Sequence, residues 1–226
     1  MSEAKETALI IGAGAGLSAS LARLCAAEGM DVHLAARNPD KLTALCQETG
    51  AQAHSCDASD PAAVEALFNA LPQVPDLVVF NPSKRVRGGV HELEPAAVKE
   101  AIEITCFGGF VVGREAARRM LPRGSGSILF TGASASVKGY ANSSTFAMGK
   151  FGLRGLCQSM ARELQPKGIH VGHFVIDGGI ASDSRISDDD RFLSPDAIAR
   201  SYLDLHRQHR SAWTWEVELR PWVENF

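Results

Sequence analysis

Three glycines near the amino terminus form the clearest chemical signal in the chain. Gly12, Gly14 and Gly16 lie within five residues, between an apolar run at 8–11 and a helical pattern of apolar residues that begins at Leu17. A glycine turn between a buried strand and a helix lets the backbone approach an anion closely, and the helix N-terminus carries partial positive charge. The turn predicts a phosphate-binding site; a glycine turn that binds nothing is the alternative.

The spacing of these glycines distinguishes two forms of the motif. The pattern Gly-x-Gly-x-x-Gly fails, because Leu17 stands where its last glycine should be. The pattern Gly-x-x-x-Gly-x-Gly fits Gly12 and Gly16, with Ser18 as a small substitute for the last glycine. A second apolar strand follows the helix at 32–36, which completes the strand–helix–strand unit of a dinucleotide site.

The residue after this second strand indicates which dinucleotide is preferred. An NAD site usually has Asp or Glu there, which binds the ribose 2′-hydroxyl, whereas a 2′-phosphate requires a cation. The strand ends in Ala36 and is followed by Arg37, whose planar guanidinium suits a phosphate. We therefore expect NADP(H) rather than NAD(H), with a solvated arginine as the alternative.

The composition is that of one soluble α/β domain covering 1–226. The chain has 226 residues, of which 45% are hydrophobic and 22% charged, and a formal net charge of −3 at pH 7. This charge gives no reason to expect nucleic acid or an anionic membrane as a partner. No apolar run has the length of a membrane span and the start lacks signal-peptide character, so we expect a cytoplasmic protein.

The cysteines and two histidines do not indicate a metal site. Five cysteines are scattered without a Cys-x-x-Cys pair, which favours reduced thiols over disulfides or bound zinc. His206 and His209 lie three residues apart on a predicted helix, a spacing that two ligands could share. We find no third ligand nearby in the sequence, and therefore interpret the pair as part of a solvated helix face.

The chain alternates apolar strands with helical patterns. We predict strands at 8–11, 32–36, 51–56, 76–80, 127–131, 169–176 and 213–219. A helical region is predicted over 94–121, with Gly108-Gly109 as a candidate break, and a long helix over 144–165. This alternation predicts a Rossmann-like, doubly wound parallel sheet of about seven strands with helices on both faces.

Polar residues and glycines follow the predicted strands, and ligands of such a sheet bind beyond the carboxyl ends of its strands. Those ends carry Gly12–Gly16, Arg37, Asp57, Asn81–Ser83, Ser134 and Asp177–Gly179, so we expect all of them at one edge. The polar segment 181–193 is the expected substrate loop, and its run Asp188, Asp189 and Asp190 is interpreted as solvated. The last part, 194–226, is predicted to hold a helix capped by Ser194 and the final strand.

From Thr7 to about Ser182 the chain resembles the short-chain dehydrogenase/reductase family. The resemblance rests on the Gly12/Gly16 turn, Asp57 after the third strand, the segment Phe80-Asn81-Pro82-Ser83, a serine after the fifth strand, Lys150, and the turn Asp177-Gly178-Gly179. These motifs are weak one by one but specific in this order. The resemblance implies the Rossmann-like fold and a nicotinamide dinucleotide cofactor. The cofactor contacts it implies are Gly12, Gly14, Gly16, Leu17, Arg37, Asp57, Asn81, Lys150, Gly178 and Ile180.

The catalytic residues that the resemblance implies are partly replaced. The family's catalytic pair is Tyr-x-x-x-Lys; Lys150 fits the lysine, but Phe146 stands at the tyrosine position and has no ionisable proton. Thr105 aligns with the family's asparagine, while Ser134, or Ser136 as the other candidate, aligns with its serine. Each has a plain alternative: an exposed helix lysine for Lys150 and a turn serine for Ser134.

Two further residues lie near this centre in the sequence. Tyr140 precedes the long helix and could bring a hydroxyl into the pocket, although we expect its ring to be buried. Cys106, next to Thr105, is expected to be a small core residue.

Two functions are consistent with these motifs. The first is an NADP(H)-dependent oxidoreductase of short-chain type with an atypical catalytic centre, which transfers hydride to or from a small carbonyl, imine or enone substrate. The second is a catalytically inactive NADP(H)-binding sensor or scaffold. The resemblance also implies a homodimer or homotetramer that uses the long helix and the helix before it.

Overall fold

The structure is a computed structural model that describes residues 5–186 and 189–224. One parallel sheet organises this part of the chain. Seven strands lie in the order β3-β2-β1-β4-β5-β6-β7, all parallel. Their bounds are β1 Thr7–Ile11, β2 Asp31–Ala36, β3 Gln52–Ser55, β4 Leu77–Phe80, β5 Gly126–Thr131, β6 Ile169–Ile176 and β7 Glu216–Leu219. The predicted fold class is confirmed.

Helices connect the strands and cover both faces of the sheet. Their bounds are α1 Leu17–Ala27, α2 Thr43–Thr49, α3 Pro61–Ala70, α4 Pro95–Ile102, α5 Gly108–Met120, α6 Ser144–Leu164 and α7 Pro195–His206. Prolines at the first positions of α3, α4 and α7 suit helix starts, because the missing N–H would have no partner there. The Ser194 side chain accepts the Ala197 N–H, as its predicted capping role requires.

The core has two layers because side chains alternate between the faces of each strand. In β1, Leu9 and Ile11 pack on the face covered by α3, α5 and α6, whereas Ala8 and Ile10 pack on the face covered by α1, α2 and α7. All four are buried. Both faces are therefore apolar, as expected for a central parallel strand.

The predicted break in the helical region 94–121 is a π-helical segment, Glu103–Phe107, that ends immediately before Gly108. Gly109 allows α5 to approach α6 closely, since a Cβ there would lie 2.4 Å from a Leu153 methyl carbon. Single π-turns within helices are frequent at functional sites, because they redirect a side chain without ending the helix. Here the redirected segment contains Thr105.

The interpretation of His206 and His209 as one solvated helix face is wrong. Helix α7 ends at His206, so His209 lies outside it. The His206 side chain is only 8% exposed and contacts Glu6, and its Nδ1 is 2.8 Å from the Ser127 hydroxyl. Among the described residues, no group of three or more His, Cys, Asp or Glu side chains is arranged to hold a metal ion.

The acidic run of the predicted substrate loop is described only in part. Asp188 lies outside the described residues, and Asp189 forms an ion pair with Arg191 at 2.7 Å. Asp189 and Asp190 are exposed, in agreement with the prediction. The five cysteines form no disulfide. Of the helices in the described part of the chain, none combines the length and apolar character that a membrane span requires.

Candidate functional site

A cleft of about 580 Å³ opens at the carboxyl edge of the sheet, where the strand order reverses between β1 and β4. Ligands of doubly wound sheets bind at this reversal, because the connections there leave on opposite faces. The cleft lining contains five of the predicted cofactor residues: Gly12, Gly14, Arg37, Asp57 and Asn81. The other predicted residues lie outside this lining.

The glycines of the first turn differ in what they do. Gly12 has φ +79°, and a Cβ there would lie 2.7 Å from the backbone nitrogen of Pro82, so its role is structural. Around Gly14 and Gly16, in contrast, no described atom lies within 4 Å of the position that a Cβ would take. Gly16 precedes α1, and no side chain caps this helix. The turn is therefore an open cradle of backbone N–H groups, suited to an anion.

Ser18 connects this turn to the end of β4. Its hydroxyl donates to the Gly12 carbonyl at 3.2 Å and accepts from the Asn81 amide at 2.8 Å. Asn81 in turn donates its backbone N–H to the carbonyl of Ile11 at 2.9 Å. From the sequence, Ser18 was expected only to be small; its hydroxyl holds two predicted site residues in register.

Two cations stand at the end of the cleft beyond β2. Arg37 and Lys41 both line it and are exposed, and neither forms an ion pair with the described residues. Lys41 was missed, although a lysine one helical turn after Arg37 was a visible signal. The Asp57 carboxylate accepts the Ser59 hydroxyl and N–H at 2.6 and 2.9 Å. These bonds lower the pKa of Asp57, with a smaller contribution from the Arg37 charge.

Lys150 lies further along the same edge and is almost completely buried. Its Nζ donates to the carbonyl of Thr131, the last residue of β5, at 2.6 Å. Burial, together with a smaller contribution from the charge of Arg85, lowers the pKa of Lys150 to about 7. The ring of Phe146, one helical turn earlier on α6, lies 5.8 Å from Nζ and is 8% exposed. The plain alternative of an exposed helix lysine is wrong.

The two candidate serines have different environments. Ser134 is partly exposed, and its hydroxyl forms no hydrogen bond with the described residues. Ser136 is fully buried; its hydroxyl accepts the Ala133 N–H at 3.1 Å and lies 3.4 Å from His173 Nε2. Of the two, only Ser134 can offer its hydroxyl to a ligand.

The Ser136 hydroxyl is the first member of a series of hydrogen-bonded side chains. His173 Nδ1 lies 3.0 Å from the Glu216 carboxylate, and Arg154 binds the same carboxylate at 2.6 Å. Burial lowers the pKa of His173 to about 4, so this imidazole is neutral at pH 7. Ser136 and His173 have no exposed surface. We therefore assign this hydrogen-bonded series a structural rather than a catalytic role.

Thr105, Tyr140 and Cys106 are each placed differently. Thr105 is fully buried in the π-helical segment and accepts the Lys84 N–H at 3.0 Å. The ring of Tyr140 is 47% exposed, so our expectation of a buried ring was wrong. Cys106 is half-buried, and burial raises the pKa of its thiol, as expected for an unreactive cysteine.

The turn after β6 carries the last predicted cofactor residues. Gly178 has φ +150°, and a Cβ there would lie 2.6 Å from the Pro221 ring, so the carboxyl-terminal segment packs on this turn. Ile180 forms a parallel bridge with Leu193, which closes the base of the loop 181–193. Asp177 is buried and pairs with Lys138 at 3.2 Å.

An arginine that was not predicted from the sequence lies against Phe146. The guanidinium carbon of Arg85 is 3.9 Å from the centroid of the Phe146 ring. Arg85 belongs to the basic run Lys84-Arg85-Val86-Arg87, directly after the Asn81-Pro82-Ser83 segment. A run of cations immediately beyond a central strand was the signal that could have revealed it.

An open glycine cradle at the reversal point of a doubly wound parallel sheet defines a nucleotide-binding α/β protein of Rossmann type. The family model described as short chain dehydrogenase matches residues 6–190. The chain therefore belongs to the short chain dehydrogenase family. Sequence, fold and cleft lead to the same family.

Individual relatives agree with this assignment. A crystal structure of a short-chain dehydrogenase from Rhodopseudomonas palustris is 39% identical, with a TM-score of 0.85 over 96% of this chain and 99% of that one. A metagenomic short-chain oxidoreductase in complex with NADP is 27% identical, with a TM-score of 0.83 over 96% of this chain and 97% of that one. Cis-4-hydroxycyclohexanecarboxylate dehydrogenase of Sinomonas cyclohexanicum is 31% identical over 180 residues, which cover 74% of this chain. The chain spans 61% and 71% of the length of two curated relatives.

Proposed function

We propose that the protein is an NADP(H)-dependent oxidoreductase of short-chain type with an atypical proton-handling centre. Its substrate is a small carbonyl, imine or enone, or the corresponding reduced compound. The observation that carries the proposal is the cleft itself, which combines an open backbone cradle at Gly14 and Gly16 with two cations, Arg37 and Lys41, that form no ion pair with the described residues. A pyrophosphate and a 2′-phosphate are the groups that such a combination suits.

The residues present fit the dinucleotide along the whole edge. The turn from Gly14 to Leu17 would hold the pyrophosphate, Asp57 the adenine end, and Arg37 with Lys41 the 2′-phosphate, while the N–H groups of Gly12 and Ala13 donate to the Ala35 carbonyl. Towards the other end, Asn81, Lys150, Gly178 and Ile180 would border the nicotinamide half. The metagenomic relative in complex with NADP supports this cofactor by analogy, since that complex belongs to a different protein.

The bound dinucleotide would supply or accept the hydride. Reduction of a carbonyl also needs one proton, which ends on the substrate oxygen. At the family's tyrosine position, Phe146 cannot donate it. The Ser134 hydroxyl is free to hydrogen-bond the substrate oxygen or to hold a water that delivers the proton from solvent. An imine that is already protonated, or an enone, demands less from such a site.

In this proposal Lys150 also binds a ribose hydroxyl of the cofactor. Its Nζ has one bond, to the Thr131 carbonyl, and further donors that can reach a ribose hydroxyl. This role needs no tyrosine partner. Because burial brings its pKa to about 7, Nζ exchanges protons near neutral pH and can contribute to proton movement.

A turnover screen tests the proposed function. NADPH oxidation would be followed by absorbance over ketones, imines and enones, with NADPH and NADH binding measured by calorimetry on the same preparation. We expect NADPH to bind at least tenfold tighter than NADH, and at least one substrate class to turn over. Binding without any turnover would favour the inactive sensor or scaffold; no binding of either dinucleotide would refute both functions.

We also propose a homo-oligomer formed through α5 and α6. Phe107 and Phe110 are 43% and 46% exposed and their rings lie 6.1 Å apart, while Met148 and Phe151 are exposed on α6. Exposed apolar side chains on adjacent helices are typical of subunit interfaces. Light scattering should show a dimer or tetramer that Phe110→Glu with Phe151→Glu converts to a monomer. A monomeric wild-type protein would refute this assembly.

A further inference from the structure

Three arginines gather around the substrate end of the site without acidic partners among the described residues. Arg85 and Arg87 lie in the segment after β4, and Arg185 lies in the loop after β6. Burial lowers the pKa of Arg85, and the charges of Arg87 and Arg185 lower it further. None of the three forms an ion pair with a described residue. This cluster therefore holds positive charge that the described part of the protein does not neutralise.

Several acidic side chains near the cluster have other partners. The Glu92 carboxylate accepts the Gly89 N–H at 3.1 Å, and Glu100 pairs with Lys84. Asp177 pairs with Lys138, and Asp189 with Arg191. Asp183 is exposed and forms no ion pair within the described residues.

Arg85 is held in place by two buried threonines that bind its neighbours. The Thr105 hydroxyl accepts the Lys84 N–H at 3.0 Å. The Thr145 hydroxyl accepts the Val86 N–H at 3.2 Å and donates to the Val86 carbonyl at 2.7 Å. Both threonines are fully buried. The backbone is thus fixed on each side of Arg85, which reduces the entropy lost when this side chain binds a ligand.

Phe146 fixes the side chain itself. With its central carbon 3.9 Å from the ring centroid, the Arg85 guanidinium is covered by the ring on one side. The ring leaves the N–H donors at the guanidinium edge available, in the fork geometry that matches a planar carboxylate. Among the described residues, no hydrogen bond from these donors is present.

The arginines come from segments on either side of the end of β5. In the sheet order β4-β5-β6, the β5 end with its Ser134 turn lies between the two segments that carry the arginines. Arg85 acts electrostatically on Lys150. Arg185 Nη1 lies 3.9 Å from the position of a Cβ on Gly179, in the turn after β6. A ligand at Ser134 would therefore be flanked by cations from both sides.

We propose that this site takes a small organic acid, and that Arg85 binds the substrate carboxylate through its guanidinium fork while Arg87 and Arg185 add charge. This inference rests on the proposed function and specifies its substrate class. The guanidinium fork matches a carboxylate in bidentate geometry, and inorganic phosphate, which such a fork also suits, is therefore the competing anion in the test. Phe146 then serves as a platform for Arg85.

Binding of matched acids and esters tests the proposal. The NADPH-saturated protein would be titrated with 2-, 3- and 4-oxo acids, their methyl esters and inorganic phosphate. We expect at least one oxo acid to bind tenfold or more tightly than its ester and than phosphate. Equal binding of acid and ester, or a preference for phosphate, would overturn the proposal. If the wild-type protein does not bind NADPH at all, the proposed function is overturned instead.

Variants then assign the contact. Arg85→Met keeps apolar cover on Phe146 and should weaken oxo-acid binding by tenfold or more, while Arg85→Lys should recover only part of it because the fork is lost. Arg162→Met, an exposed arginine of α6, is the matched control and should bind as the wild type does. If Arg85→Met binds the acids as tightly as the control, Arg85 is not the carboxylate site.

Chemical modification keeps the test independent of how the variants fold. Phenylglyoxal labels accessible arginines, and peptide mass spectrometry would report the rate at Arg85 in the wild-type protein. We expect the best oxo acid to slow this labelling at least fivefold and its ester to have no effect. An unchanged rate in saturating acid would contradict the proposal.

Discussion

The two halves of the candidate site are built in different ways. The half that would hold the dinucleotide uses backbone: an open turn at Gly14 and Gly16, held in register by Ser18 and Asn81. The substrate half uses side chains from three separate elements: Arg85 after β4, Ser134 after β5, and Phe146 with Lys150 on α6. A backbone site tolerates much sequence change as long as the turn persists. A side-chain site changes its chemistry with each substitution.

The largest expected effect tests whether the first glycine is structural. Gly12→Ala places a Cβ in a left-handed conformation, 2.7 Å from the Pro82 nitrogen, and should lower the free energy of unfolding by about 3 kcal/mol. The midpoint of thermal unfolding, Tm, should fall by roughly 6–12 °C for a chain of this size.

Gly14→Ala is the matched control, because its Cβ meets nothing within 4 Å. It should change the unfolding free energy by less than about 1 kcal/mol, yet weaken NADPH binding tenfold or more by filling the cradle. If both variants lose stability equally, the distinction between a structural and a ligand-facing glycine is incorrect.

The second prediction alters the substrate half by one oxygen atom. Phe146→Tyr adds a phenol near Lys150 and should raise kcat/KM for simple ketones by about 100-fold, the usual contribution of a positioned general acid. Phe151→Tyr, at an exposed position of the same helix, controls for the added hydroxyl. No gain in Phe146→Tyr would mean that Arg85 and Ser134, rather than a missing phenol, define how this site handles charge.

The third prediction returns to the cofactor half. Arg37→Ala should weaken NADPH binding about 30-fold, or roughly 2 kcal/mol, because a charge-assisted contact to the 2′-phosphate is lost. NADH binding should be unchanged. Lys41→Ala should have a smaller effect in the same direction, about threefold, as expected for a single exposed charge. Calorimetry with both dinucleotides measures this difference, and equal losses would contradict the assignment.

The contrast between the two halves also explains what could be predicted from the sequence. The strand β6 was predicted with its observed bounds, Ile169–Ile176, because breaks at Pro166–Gly168 and Asp177–Gly179 stand on either side of it, although His170 and His173 interrupt its apolar residues. The ends of the strands place Gly12, Arg37, Asp57 and Asn81 along one cleft for a topological reason. Periodicity and turn residues are local signals, and they suffice for a site made of backbone.

The substrate half depends on contacts between distant residues. Thr105 and Thr145 bind the neighbours of Arg85 from 21 and 59 residues away, and no local pattern indicates such bonds. His206 illustrates the same limit, because this helix residue contacts Ser127 of β5, 79 residues away in the sequence. The basic run 84–87 was visible in the sequence, but only the fold places it against Phe146.

The smallest expected effect concerns the buried Lys150. It is a change in how the free energy of unfolding varies with pH, not a constant change in that free energy. Its pKa is lowered to about 7 in the folded protein, against roughly 10.4 in an unfolded chain. Between these values the unfolded state holds a proton that the folded state lacks, so the free energy of unfolding rises with pH. The increase is limited to about 1.4 kcal/mol per pH unit. Lys150→Met should remove it, although the lost bond to Thr131 also lowers stability at every pH.

The buried cysteines oppose this trend and determine the design of the measurement. Burial raises the pKa of Cys25 to about 12 and that of Cys56 to about 11, so the unfolded thiols lose protons first and stability falls with pH above about 8.5. Urea unfolding of wild type and Lys150→Met would be measured at pH 7.0, 7.5, 8.0 and 8.5 without dinucleotide. Because both proteins contain the same cysteines, the thiol contribution cancels when their unfolding free energies are subtracted. Lys167→Met, at an exposed position, should keep the wild-type slope. A difference between wild type and Lys150→Met that is constant with pH would show that Lys150 stays protonated when buried. The substrate half would then carry one more fixed positive charge beside Arg85.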